Sequence, residues 1–207
     1  MLSVCIQVFR TLGGKNMVTT PIRQKDEISL MKNYFLDKEN YRDYALFVMG
    51  INSALRISDI IDVQWNEVYN FEQKKFRNHL IVREKKTRKN TCIALNENCR
   101  QALDLLMEHR EQLQQDDYIF YSGDDARKHI SRNRAWHIIK KAAEFNQLEG
   151  NISCHSLRKT FGYHAWKEGT PPALIMEIYN HSSIEITKRY LSIDQDEKDS
   201  LFYQLNL

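Results

Sequence analysis

Residues 153–190, SCHSLRKTFGYHAWKEGTPPALIMEIYNHSSIEITKRY, constrain the fold more than any other stretch. Ser153 is a helix-capping residue, and His155 and Arg158 follow at i, i+3 spacing, which stacks an imidazole and a guanidinium on one helix face. Gly169-Thr170-Pro171-Pro172 ends that helix and opens another, because proline is tolerated in a first turn where no N–H is needed. His181 follows the second helix, and Tyr190 stands nine positions after it. The rest of the chain is read as the scaffold that positions these groups.

Periodicity describes that scaffold. Ile28, Met31 and Phe35 recur at helical spacing after Asp26 as a cap, and Tyr44, Phe47, Val48 and Ile51 predict a second amphipathic helix. Between 68 and 95 the period changes. The runs VYNF, NHLIVR and TCIAL alternate or are β-branched, with charged turns between them, which predicts a small three-stranded antiparallel sheet. From Asn96 the chain returns to helix with Leu103, Leu106 and Leu113. DDYIFYS (116–122) is a short extended piece, and the basic stretch to Phe145 is a helix with Trp136, Ile139 and Ala143 inward. The fold class is therefore mainly α with a small sheet (α+β). Residues 1–25 are expected to be an N-terminal arm, and 26–207 one domain with a tail at 191–207. That tail turns acidic at DQDEKD and ends in the apolar LFYQLNL, which would be costly to leave exposed. LGGKNM, ahead of Met17, also reads as a translated ribosome-binding site, with Met17 as the start. Intact mass of the native protein tests that.

Net charge is only +3, but it is unevenly placed: residues 74–89 hold eight basic side chains against one acid, and 126–141 hold six against none. Local patches of this kind suit a polyanion. The four cysteines, Cys5, Cys92, Cys99 and Cys154, have no C-x-x-C or zinc spacing, which fits a reducing cytoplasm. Cys154 adjoins His155, but neighbours on a helix point in different directions, so a thiol nucleophile is not expected. With no membrane-spanning run and no signal peptide, the expectation is a soluble cytoplasmic protein.

These motifs resemble the tyrosine recombinases of the phage integrase family. Their second signature runs H-x-L-R-H/K-T-F, then L-G-H, then Y, and is matched by His155, Leu157, Arg158, Lys159, Thr160 and Phe161, by His181, and by Tyr190 at the family interval. Tyr179-Asn180 replaces Leu-Gly; Asn tolerates positive φ, so the turn can survive. ALRISDIIDVQW (54–65) is similar to the first signature, with Ala54 for Gly and Asp59 for Glu. EKKTRKN is similar to the K-T-G-K hairpin, with Arg88 for Gly; Lys86 is assigned as its lysine and Lys85 is the rival. The resemblance covers about residues 26–200 and only the catalytic domain, as in the short fimbrial-switch invertases.

The resemblance implies a site-specific recombinase that cuts and rejoins double-stranded DNA through a 3′-phosphotyrosine. Arg56 and Arg158 would clamp the phosphate, His181 would add a donor, His155 would take or relay the tyrosine proton, and Tyr190 would attack. Lys86 would protonate the leaving oxygen, and Asp59 would orient a group of the site. Lys85, Arg88, Lys89, Arg132, Arg134 and Lys159 are the expected DNA contacts. The chemistry needs no cofactor and no metal, since the covalent link conserves bond energy. Expected partners are a homotetramer on paired sites and accessory DNA-bending proteins. The alternatives are a catalytically silent DNA-binding protein on this fold and a type IB topoisomerase-like relaxing enzyme.

Overall fold

A computed structural model describes residues 18–123 and 125–205, so residues 1–17 and the Met17 question lie outside the described part. The remainder of the expected arm, 18–25, is described and is not loose: Ile22 is buried and its N–H donates to Thr160 Oγ1 at 2.9 Å. Helix α1 (Lys25–Leu36) begins one residue after Gln24, whose N–H donates to Glu27 Oε2. The cap is therefore Gln24, with Asp26 inside the first turn, where its charge favours the helix dipole. Met31, Tyr34 and Phe35 face the core. Helix α2 (Tyr41–Asn52) is buried from Ala45 to Ile51, so it is the central helix of the domain and not an amphipathic one.

A short helix α3 (Ile57–Ile60) and another, α4 (Trp65–Val68), lead into β1 (Tyr69–Asn70), which pairs with β2 (Lys75–Phe76). Strand β3 (His79–Arg83) pairs only with β4 (Asn90–Ala94), Ile81 opposite Cys92. The expected three-stranded sheet is thus two separate hairpins. VYNF finds its partner in the neighbouring charged segment, where Arg77 N donates to Val68 O, before β3 begins. Leu80 and Val82 alternate inward along β3, so one face packs on the helices and the other is solvated.

Helix α5 (Glu97–Glu108) is capped by Asn96, whose Oδ1 accepts from Cys99 N at 3.0 Å. Leu103 and Leu106 are buried on it, and Leu113 lies beyond its end. A third hairpin, β5 (Tyr121–Ser122) and β6 (Asp125–His129), occupies the start of the basic stretch expected to be helical. The helix proper, α6 (Arg132–Phe145), starts where Ser131 Oγ accepts from Arg134 N. Its buried stripe is Ala135, Ile138, Ile139, Ala142 and Ala143, a spacing that turns Trp136 outward, 41% exposed, against the expectation.

Helices α7 (Cys154–Lys167), α8 (Pro172–Tyr179), α9 (Ile184–Leu191) and α10 (Ile193–Leu205) complete the chain. Helix α7 starts at Ser153, whose N–H donates to Ser156 Oγ, and the expected break holds, with Gly169 at φ +81° and Pro172 in the first turn of α8. Helix α7 packs on α2, and a second apolar cluster of Ala54, Tyr163, Ile175, Tyr179, Leu191 and Ile193 joins it to α8 and α9. Gly162 permits that approach: a Cβ there would stand 2.6 Å from Tyr179 Oη and 2.7 Å from Leu191 Cδ2. Gly162→Ala is therefore expected to destabilise the domain by about 1–3 kcal/mol, the cost of overpacking, despite alanine's better helix propensity. A urea midpoint equal to or above that of the parent would contradict this.

Candidate active site

The first arginine is delivered by a strained turn. Ala54 adopts φ +54°, which turns the chain so that Leu55 goes into the core and Arg56 comes out at the start of α3. Arg56 Nη1 donates to Glu84 Oε2, and Glu84 also accepts from Thr87 Oγ1 at 3.0 Å and Thr91 Oγ1 at 3.1 Å. Burial alone would raise the Glu84 carboxyl, but the bonds from Thr87, Arg56 and Thr91 hold it below the usual carboxylate range. The ionised carboxylate thus fixes the guanidinium and, through the threonines, the hairpin that follows.

The β3–β4 tip carries the two lysines. Lys85 N donates to Asp59 Oδ1 at 3.0 Å and Lys85 Nζ pairs with Asp62 at 3.0 Å. Asp59 accordingly orients the hairpin backbone. Lys86 lines a cleft of about 320 Å³ together with Arg56, His155, Arg158, His181 and Tyr190; Lys85 does not line it. Arg88 adopts φ +61°, the conformation for which glycine is suited, so the turn exists at the cost of local strain.

Helix α7 places His155 and Arg158 one turn apart. Arg158 is 7% exposed; its Nη1 donates to Ala54 O and its guanidinium lies 4.6 Å from the centre of the Tyr179 ring. Tyr179 Oη in turn donates to Arg158 O at 2.5 Å. The His155 imidazole is held below its ordinary pKa, first by partial burial, then by Lys159, Arg158, Arg56 and Lys86. It is neutral at pH 7 and able to accept a proton.

Asn180 ends α8 at φ +54°, ψ +47°, the left-handed conformation anticipated for it. His181 follows, its Nδ1 3.0 Å from Thr187 Oγ1, and partial burial, Arg158 and Arg56 lower its pKa. The Tyr190 ring centre is 5.2 Å from that of His181 and 5.4 Å from that of Tyr179. Burial raises the Tyr190 phenol, while the charge of Arg158, its hydrogen bond and the charge of Arg56 oppose the rise. The site therefore holds a neutral phenol beside two guanidiniums, with a neutral imidazole in the same cleft.

Comparison with known proteins identifies the family and the fold. The family model described as the phage integrase family matches residues 21–197. This chain belongs to the phage integrase family. It is 42% identical over 179 residues to the probable integrase/recombinase YoeC of Bacillus subtilis, covering 86% of this chain and 92% of that one. Curated tyrosine recombinases of the XerA and XerC types match over about half of their own length. Among solved structures, the XerA recombinase superposes with a TM-score of 0.70 at 18% identity, covering 94% of this chain and 67% of that one. XerH in its post-cleavage complex with palindromic difH substrate gives 0.66 at 12% identity, covering 93% and 55%.

Of the basic residues expected to meet a ligand, Arg88, Lys89, Arg132 and Arg134 are exposed on this family member, and Lys85 is exposed but paired. A second groove, about 610 Å³, shares Arg56, Lys86 and His155 with the cleft and extends it past Lys85, His129 and Arg132. Lys159 departs from expectation. It is 3% exposed, its Nζ donates to Thr19 O at 2.6 Å, and it lies 5.1 Å from the Tyr190 ring centre, so it supports that ring from inside. Its place one residue after Arg158 on α7 turns it off the cleft-facing side. The Cys154 thiol is pushed up to about 12 by burial, which suppresses the thiolate. Two contributors escape sequence reasoning, Glu84 and Tyr179. Glu84 had a signal, as the one acid among eight basic residues in 74–89; Tyr179 stood at a departure from the family pattern.

Proposed function

We propose that this chain is a site-specific DNA strand transferase that cuts and rejoins DNA through a 3′-phosphotyrosine. The observation that carries the proposal is the convergence of Arg56, Lys86, His155, Arg158, His181 and Tyr190 on one cleft, from four separate parts of the chain. A phosphodiester attacked by oxygen passes through a five-coordinate state with added charge on its equatorial oxygens, and Arg56 and Arg158 answer that charge. Tyr190 Oη bonds to phosphorus as its proton passes to His155, the P–O5′ bond breaks, and the 5′ oxygen takes a proton from Lys86. Rejoining runs the same transfers backwards. Because Nδ1 of His181 meets the Thr187 hydroxyl, which itself donates to Ser183 O at 3.2 Å, its Nε2 is left for the phosphate. An arriving anion offsets the depressing charge of the arginines and favours the imidazolium that can donate there.

The direct test is incubation with a nicked site from which the short 5′-hydroxyl fragment can diffuse away. The protein is expected to remain covalently on the 3′ end, seen as a shifted band under denaturing conditions. No adduct on any site recovered from its own locus would refute the reading. A supercoil-relaxation assay separates recombination from topoisomerase-like action: strand exchange requires paired sites and simple relaxation does not.

Assembly is part of the proposal. Leu191 and Ile193 anchor α10 in the core, whereas Leu201, Phe202, Tyr203 and Leu205 are each more than half exposed, with Tyr203 at 84%. Among the described residues these side chains belong to neither apolar cluster, and a neighbouring subunit in a tetramer on paired DNA sites is the surface proposed to cover them. Deleting residues 200–207 is therefore expected to impair synapsis while single-site binding, followed by gel shift, is retained. Equal loss of both would place the tail's role within one subunit.

A further inference from the structure

We infer that Lys89 and Asn180 form a tie across the cleft that positions Lys86, an inference that rests on the proposed role of Lys86 as the acid for the leaving oxygen. Lys89 Nζ donates to Asn180 Oδ1 at 2.7 Å. The bond joins opposite rims. Lys86 and Thr87 line one side of the cleft from the β3–β4 tip, and Asn180 and His181 line the other from the turn between α8 and α9.

The hairpin tip has two kinds of restraint. Glu84 N to Lys89 O at 2.9 Å and Arg88 N to Glu84 O at 2.8 Å are internal and set only its shape. Its orientation comes from outside bonds: upstream of Lys86, Glu84 holds Arg56 and Lys85 N holds Asp59; downstream, Lys89 holds Asn180. A tip tied to the rest of the domain only upstream of Lys86 has more freedom to pivot than one tied on both sides, and Lys86 lies between the two anchorages. A general acid acts only within hydrogen-bond reach of the atom it protonates, so a pivot of an ångström or two at the tip is felt directly in the leaving step. Asn180 is suited to the task for a local reason: it accepts the left-handed turn that a glycine would fill and supplies an amide that glycine lacks.

Asn180→Gly removes the tie without harming the turn, since glycine prefers φ +54°. Single-turnover cleavage is measured on ordinary DNA and on DNA with sulfur at the 5′ bridging position, whose thiolate leaves without a proton. The variant is expected to be about five-fold slower on ordinary DNA, the effect of one exposed hydrogen bond to a cation, and to match the parent on the sulfur substrate. Lys89→Met combined with Asn180→Gly is expected to cleave no more slowly than Lys89→Met alone, as two halves of one contact should. Parental rates for Asn180→Gly on ordinary DNA, or an equal defect on both substrates, overturn the inference. Failure of Lys86→Ala to recover on the sulfur substrate is a separate result and removes the acid role itself.

Discussion

The Tyr190→Phe protein is expected to bind a nicked site with the parent's affinity and to trap no DNA at all. The substitution removes one oxygen, and the oxygen is the proposed nucleophile; the other phenol of the cleft, Tyr179, is buried with its hydroxyl donated to Arg158 O. Cys154 lines the same cleft, but burial pushes its thiol up to about 12, and a thiol of that kind does not attack. The ring itself should stay in place, because its contacts with Lys159, His181 and Tyr179 are made by the ring faces and edge. What is lost structurally is the hydroxyl's bond with Arg158, worth about 1 kcal/mol. Normal affinity together with no covalent adduct separates chemistry from folding, and an adduct that persists in the Phe variant would mean that another residue attacks.

Lys86→Ala is expected to cleave ordinary DNA roughly 10² to 10⁴ times more slowly, the usual contribution of a positioned general acid. On the sulfur-bridged substrate it should recover to near the parental rate. A variant that stays slow there would show that Lys86 contributes charge and not a proton. Lys85→Ala is the control, and the two lysines differ for a visible reason. Lys85 is tied by its main-chain N–H to Asp59 and by its ammonium to Asp62, in the groove that adjoins the cleft, whereas Lys86 lines the cleft itself with His155 and Arg158. Alanine at 85 should therefore weaken DNA binding modestly, in a salt-dependent way, with no deficit that sulfur repairs. Sulfur rescue at 85 and not at 86 would move the acid by one residue.

Local spacing specified several of the helices, and together with the family resemblance it pointed to the residues of the candidate site. The i, i+3 pair His155 and Arg158, the Gly-Thr-Pro-Pro break, the left-handed Asn180 and the interval to Tyr190 are all set within a few residues of chain, where backbone sterics and helix periodicity act. Arg56 was legible only through the resemblance of ALRIS to the family's first signature, since the stretch alone reads as a surface helix. What the tertiary structure decided involves partners far apart in sequence. The strand VYNF paired with its own neighbour and not with β3, because hydrophobic alternation says which face a strand buries but not which strand it joins. Lys159 reads as a surface cation, yet 140 residues upstream a carbonyl at Thr19 meets its ammonium inside the fold. Lys85 and Lys86 are interchangeable as letters; Asp59 and Asp62, brought alongside by α3 and its following turn, tie up the first and leave the second to the cleft. Periodicity is a property of adjacent residues, whereas the choice between two lysines depends on which charges the completed fold places around them.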